Sequence, residues 1–281
     1  NSDSKKHATI KAINDENSED VFVTSQKDYL SILRYPISYW LTKNIRALFS
    51  KTKVTSFGHP FTGLQTGDKE QYQRFWREVE SEKISKKALS ENYKWYLFNT
   101  GGQVLKWYGN NSFVLNWENN GFEIKQRNNS VIRNEKYYKK KAISWNRRSN
   151  DGVCFRLVDE GYVFDQAGDA FVSDDKLLEI LAFLNSKISQ KIIKIIAPVN
   201  LTAGDMKAFP CLNLFDIDVN LISDNIDISK SDWDNRESSL YYKRDNLLRI
   251  SGQDLEESYD LYKHYWRNKF FQLHKNEEEL N

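Results

Sequence analysis

Methionine, cysteine, histidine and proline are all scarce in this chain: one Met, two Cys, four His and four Pro among 281 residues. Cys154 and Cys211 cannot build a disulfide framework. With His7, His59, His264 and His274 scattered between them, they form no zinc-ligand spacing either. Both cysteines read as small buried hydrophobes in a reducing compartment. The longest apolar stretches, Leu177–Leu184 and Ile192–Ala197, are bounded or interrupted by Asn185, Ser186, Lys187, Gln190, Lys191 and Lys194. Neither approaches the roughly 20 apolar residues that a bilayer span requires. No charged start followed by an apolar run marks a signal peptide, so the expectation is a cytoplasmic protein with no membrane contact. The only methionine is Met206, the first residue is Asn1, and Glu277-Glu278-Glu279-Leu280-Asn281 ends a helical pattern without a glycine stop. Both ends read as cut from a longer chain.

What is abundant is aromatic. Eight Trp, 15 Tyr and 16 Phe bring the aromatic share to 14% within a 40% apolar total, enough for an aromatic-rich core. The net charge of +2 conceals segregation. Residues 94–148 carry eleven Lys and Arg against three Asp and Glu, a balance of +8, whereas residues 211–281 carry nine against fifteen, a balance of −6. A basic middle of this kind suits either a solvated face or contact with nucleic acid.

The pattern of elements predicts an α+β fold, an irregular twisted sheet flanked by long amphipathic helices. Ala8–Ile13 and Val21–Thr24 read as short strands. Ile37, Trp40, Leu41, Ile45, Leu48 and Phe49 repeat at helical spacing after Pro36, predicting a helix that ends near Lys51. A glycine-punctuated loop over Phe57–Asp68 precedes a helix expected from Lys69 to about Val79. Between residues 93 and 173, aromatic and β-branched runs alternate with Gly and Asn turns. They predict strands over Tyr93–Phe98, Ser112–Asn116, Ala142–Trp145, Val153–Val158, Tyr162–Phe164 and Ala170–Val172. Leu177, Leu181, Leu184, Ile188, Ile192 and Ile195 predict one long helix closed by Pro198. Ile217–Arg236 reads as connector, and a second long helix from Asp254 carries the stripe Tyr259, Tyr262, Trp266, Phe270 and Leu273. That stripe reads as core, with docking on a neighbouring domain as its alternative use. Three regions follow: residues 1–50 as strands and a connecting helix, 51–212 as a recognition domain, and 213–281 as a C-terminal helical segment.

Catalytic signatures are missing. There is no P-loop, no nucleophile elbow and no dinucleotide-type glycine loop. Gly101-Gly102 sits in Asn-Thr-Gly-Gly, which matches no phosphate-cradling spacing. No two prolines are adjacent, which removes the Asp/Asn-Pro-Pro-aromatic loop that amino-methyltransferases use to hold a target nitrogen. Glu123-Ile124-Lys125 matches half of a metal-dependent nuclease motif, but without its Pro-Asp partner it reads as a surface helix. No metal site and no cofactor of this chain's own are expected.

The furniture of a nucleic-acid reader is present instead. Lys139-Lys140-Lys141 and Arg147-Arg148 bracket Ser144-Trp145-Asn146; Arg127 and Arg133 flank the Asn128-Asn129 turn; Lys106 precedes Trp107-Tyr108. Lysine and arginine neutralise phosphates, and Arg, Asn and Gln can pair with base edges. Gln65, Thr66 and Lys69 make a second candidate edge, because flanking glycines let that backbone come close to a ligand. Trp95, Trp117 and Trp145 read as core.

Several runs resemble the C-terminal half of the adenine-specific DNA methyltransferases of BREX phage-defence systems, the PglX family. They are Pro36-Ile37-Ser38-Tyr39-Trp40, Gly63-Leu64-Gln65-Thr66-Gly67-Asp68 with Arg74-Phe75-Trp76-Arg77-Glu78-Val79, Lys106-Trp107-Tyr108-Gly109-Asn110-Asn111 with Asn116-Trp117-Glu118-Asn119, Gly161-Tyr162-Val163-Phe164-Asp165 with Ala167-Gly168, Leu184-Asn185-Ser186-Lys187, Gly204-Asp205-Met206-Lys207 and Asp232-Trp233-Asp234. The resemblance implies a parent enzyme that uses S-adenosylmethionine, with its methyltransferase domain upstream of this chain and double-stranded DNA as its partner. This chain would be the target recognition domain. The competing class is a protein-interaction module docking on other defence proteins.

Overall fold

The computed structural model describes residues 2–19, 21–32, 35–39, 41–86, 93–147, 152–212, 214 and 217–281. Its helices are α1 (Ser2–Asn14), α2 (Lys43–Leu48), α3 (Lys69–Tyr72), α4 (Glu118–Lys125), α5 (Leu177–Asn185), α6 (Lys187–Ile196), α7 (Ala203–Met206), α8 (Val219–Asp234) and α9 (Leu255–Glu279). Its strands are β1 (His59–Phe61), β2 (Gln73–Phe75), β3 (Ile84–Ser85), β4 (Trp95–Asn99), β5 (Phe113–Asn116), β6 (Ala142–Trp145), β7 (Phe155–Val158), β8 (Val163–Phe164) and β9 (Ala170–Val172). The α+β class is as expected.

The strands form two sheets. One is antiparallel in the order β1-β9-β6-β7. The other runs β2-β5-β4-β3, and β8 continues the β3 side of β4: β3 pairs with Trp95 and Tyr96, β8 with Phe98 and Asn99. Alternation along each strand explains the layering. On β6 and β7, Ile143, Trp145, Phe155 and Leu157 join a core with Ile180, Leu184, Ile192 and Ile222 of the helices. The intervening Ala142 and Val158 join a second core with Leu97, Phe98, Val114 and Phe164 of the other sheet. The four-stranded sheet is therefore buried on both faces, with helices on one side and the second sheet on the other.

Several expectations are corrected. Ala8–Ile13 lies inside helix α1, where Thr9 returns its hydroxyl to Lys5 O at 2.9 Å, and Val21–Thr24 forms no strand. Short apolar runs carry too few residues to separate the two periodicities. The helix expected from Pro36 is confined to α2, which starts only after Thr42 caps it; Trp40 lies outside the described residues. The helix expected over Lys69–Val79 stops at Tyr72, because Gln73–Phe75 pairs with β5. The long helix is two: the Ser186 hydroxyl accepts from Ser189 N and starts α6 afresh. The connector expected over Ile217–Arg236 is helix α8, capped by Asp218. Its buried stripe of Ile222, Ile226 and Trp233 is diluted by Asp, Ser and Asn, which masked the period.

Trp117 and Trp145 are buried and Trp95 half-buried; Cys211 is buried and Cys154 half-buried. The aromatic stripe of α9 is core only at Trp266 and partly at Leu273, while Tyr259 and Phe270 are exposed. Helix α9 packs against α8, and its C-terminal turn adds polar anchors. Glu277 accepts from Trp107 Nε1 at 2.7 Å and Lys106 Nζ at 3.0 Å, and Glu278 pairs with Lys187 at 2.8 Å.

Candidate nucleic-acid interface

The Gly-Leu-Gln-Thr-Gly-Asp run is held on both sides. Leu64 N donates to Phe164 O and Gln166 N to Leu64 O, at 2.8 and 2.9 Å. One residue later, Gln65 and Val131 exchange both backbone bonds at 2.9 Å. Gly63 lies so close to β8 that an added Cβ would meet Phe164 O at 1.9 Å. At the far end, Asn129 Nδ2 donates to Gly67 O at 2.9 Å, and Asp68 caps α3. Gln65 is half-exposed, and its amide has no hydrogen-bond partner among the described residues. Thr66 is buried.

The cations around this segment are oriented by fixed partners. Lys69 Nζ stands 2.7 Å from the fully buried Asp165, leaving the lysine side chain half-exposed. Arg127 donates to Gln71 Oε1 at 2.7 Å, reaches Asp68 at 3.5 Å and lies 5.6 Å from the Tyr72 ring centre. Arg133 is half-buried, and its carbonyl accepts from Tyr138 Oη at 2.8 Å. Asn134 Nδ2 donates to Thr62 O at 3.0 Å, closing residues 127–134 against 62–67.

Arg147 joins this cluster through a carboxylate. Asp169, fully buried, accepts from Thr62 Oγ1 at 2.7 Å and Ala203 N at 2.8 Å, and Arg147 Nε lies 3.0 Å away. Burial pushes the Asp169 carboxyl above its ordinary value, against the pull of those donors. The terminal nitrogens of Arg147, itself 35% exposed, have no partner among the described residues. The contact at Nε is ionic, without hydrogen-bond geometry, and a guanidinium drawn to a buried carboxylate on that side with its fork open suits a planar acceptor. Arg148 lies outside the described residues.

The remaining candidates sit elsewhere. Lys106 is engaged with Glu277. Lys139 adopts φ +66° and sets its amine 4.6 Å from the Tyr96 ring centre. It lines, with Lys140 and Lys141, a groove of about 950 Å³ that Glu160, Asp174, Asp175 and Glu179 also line. Glu123 is exposed, and Lys125 pairs with Glu135 at 2.6 Å across from the Trp117 face. Among the described residues no acidic, His or Cys group is arranged to hold a metal, and no helix is long and apolar enough to cross a membrane. The sequence reading missed Gln71, Asn129 and Asp169, which position the cluster; only Asn129, beside its turn, left a local signal.

No family model matches the chain. Two curated proteins are similar along nearly all of it. The adenine-specific methyltransferase BrxX of Escherichia coli O9:H4 (strain HS) is 31% identical over 266 residues, 92% of this chain and 22% of its own length. The adenine-specific methyltransferase PglX of Lacticaseibacillus casei (strain Zhang) is 28% identical over 299 aligned positions, 99% of this chain and 25% of its own length. The chain spans about a quarter of the length of these relatives. Across its length, then, it is homologous to one segment of the BrxX and PglX adenine-specific methyltransferases.

Proposed function

We propose that this chain is the target recognition part of an adenine-specific DNA methyltransferase of the BREX phage-defence type, reading the sequence of double-stranded DNA in the cytoplasm. The observation that carries the reading is the pinned segment Gly63–Lys69. It presents Gln65 with a free amide on a backbone fixed at both edges, flanked by the oriented cations Lys69 and Arg127. Base readout needs a rigid platform, since a side chain that must first be ordered loses the energy that discriminates. In this reading residues 51–212 form the recognition unit, 1–50 lead from an upstream methyltransferase domain, and 213–281 support it. S-adenosylmethionine belongs to the parent's other segments. The residues here do not fit it, having neither the Asp/Asn-Pro-Pro-aromatic loop nor a cofactor glycine loop.

Titration of the purified chain with duplex DNA at several salt concentrations tests this. The expected non-specific affinity is about 10⁻⁴–10⁻⁶ M and falls as salt rises, and labelled S-adenosylmethionine gives no methyl transfer. Salt-independent binding, or none, would favour the second reading, a docking module for other defence proteins. That reading draws on α9, whose Tyr259, Phe270 and Phe271 are exposed.

A further inference from the structure

Arg156 is the one fully buried cation among the described residues. It stands on β7 opposite Ser144 of β6, so its side chain enters the layer between the two sheets. Its terminal nitrogens donate to Asn146 Oδ1 and Thr100 O, each at 3.0 Å, and its Nε has no partner. No carboxylate among the described residues pairs with it. Burial lowers its pKa only to about 10, which leaves it charged at neutral pH. A buried charge without a counter-charge is costly, and here the protein supplies only uncharged acceptors.

Those acceptors place the guanidinium directly beneath one surface turn. Thr100 O faces Arg156, and the Asn146 amide donates to Gly102 O and, at 3.2 Å, to Gln103 O. The carbonyls of Thr100, Gly102 and Gln103 are thus bonded inward, while Gly101 O accepts from Thr100 Oγ1 at 3.2 Å. A trans peptide sets its N–H opposite its C=O, and no cis bond occurs among the described residues, so the Gly101 amide points away from the guanidinium and those of Gln103 and Val104 away from the Asn146 amide beside it. Buried Asn110 accepts from Gln103 N at 3.2 Å and donates to Gln103 O at 2.8 Å, which occupies that amide; those of Gly101 and Val104 have no partner among the described residues. Gly102, exposed at φ +140°, allows the turn to carry this arrangement. The two unpartnered amides of Gly101 and Val104, over a buried positive charge, are the elements of an anion site.

We propose that the Gly101–Val104 turn binds a phosphate group, with Arg156 as its buried counter-charge, and that the group is a backbone phosphate of the DNA read by the 63–69 segment. The identity of the phosphate rests on the function proposed above; the anion site does not.

Two probes separate the two claims. Inorganic phosphate, followed by thermal unfolding, should raise the melting temperature of the unaltered chain. Arg156→Met and Cys154→Asp should abolish that rise, while Arg156→Lys keeps part of it. Cys154 is half-buried and within electrostatic reach of Arg156, so Cys154→Asp cancels the charge while keeping the arginine and decides the matter if Arg156→Met fails to fold. In duplex titrations the same two variants should lower the salt dependence by about one unit, the mark of one lost phosphate contact. An equal phosphate response in every variant overturns the anion site, even if duplex binding is strong. A phosphate response that depends on Arg156, without any duplex binding, keeps the site and overturns its assignment to DNA.

Discussion

The segment 63–69 and the lysine run 139–141 are both candidate DNA contacts, yet the fold treats them in opposite ways. The first is bonded along both edges, to Phe164 and to Val131, and its lysine is oriented by a buried carboxylate. The second is held mainly at Lys139, whose backbone bonds Tyr162 and Gly161, with one long bond of 3.4 Å from Lys140 N to Tyr137 O. Lys140 and Lys141 extend from it, exposed, over an open groove with acidic residues in its lining. A rigid backbone with a neutral amide suits reading; flexible point charges suit positioning on phosphates. Two things separate the segments: residues 63–69 carry Asp68 and Lys69 and sum to no net charge against +3 for Lys139–Lys141, and only the first is pinned along both edges.

Removing the pinning is the largest test. Gly63→Ala places a methyl 1.9 Å from Phe164 O and 2.2 Å from its carbonyl carbon, and backbone cannot rotate aside as a side chain can. We expect a stability loss of about 3 kcal/mol or more, measured by denaturant unfolding, together with loss of duplex binding. A variant as stable as the parent would show that the close approach is relaxed in solution.

Asp169 ties Arg147 to the start of the same segment, and its removal comes next. Asp169→Ala strands Thr62 Oγ1, Ala203 N and Arg147 Nε, and should cost about 2–3 kcal/mol, the partial exposure of Arg147 softening the loss. The sign of its pH dependence is fixed. Burial raises the folded carboxyl above its ordinary value, so the folded chain holds that proton more tightly than the unfolded one. This contribution is present below the unfolded value and is lost as pH rises through the folded one. The stability of the parent relative to Asp169→Asn should therefore shrink as pH rises across that window; an advantage that grows with pH would refute the role given to burial.

A weaker effect is expected from the lysines. Changing Lys139, Lys140 and Lys141 together to Ala should weaken binding to all duplexes alike and reduce the salt dependence by about two units, since Lys139 is turned towards Tyr96. Arg147→Ala should instead change base preference with little change in salt slope. If the lysine variant alters base preference and Arg147→Ala weakens every duplex uniformly, the two roles exchange.

How far this organisation was legible depended on the range of the interactions. The strands between residues 95 and 172 were readable because alternation and Asn-Gly turns are local, and Ala142–Trp145 and Ala170–Val172 match their strands to the residue. The N-terminal expectations failed where too few apolar residues stood in a row, as over Ala8–Ile13. Helix α8 was missed because its buried stripe includes Asn225, which reads as polar. The candidate site was legible in composition but not in assembly. Arg127, Lys69 and Arg147 were all chosen as cations, whereas Asp165 and Asp169, which orient two of them, lie 96 and 22 residues away along the chain. Arg156 could not be singled out, since nothing in Val153–Val158 distinguishes a buried arginine from one at an exposed strand position.

The smallest change in stability and the sharpest in specificity should come from Gln65→Ala. The Gln65 amide has no hydrogen-bond partner among the described residues, so its loss removes no native bond there, and the backbone pair with Val131 is indifferent to the side chain. Denaturant unfolding should therefore be unchanged within about 0.5 kcal/mol. Glutamine can donate to N7 and accept from the N6 amino group of one adenine in the major groove, and a pairing of that kind discriminates by about 1–3 kcal/mol. Competition between duplexes that differ at single positions should then show preference relaxed at one base pair and retained at the others. Relaxation spread over many positions would mean that Gln65 supports the platform without reading from it. Unchanged preference would move the reading edge to Arg127 and Gln71, whose 2.7 Å bond fixes a second amide beside the same segment.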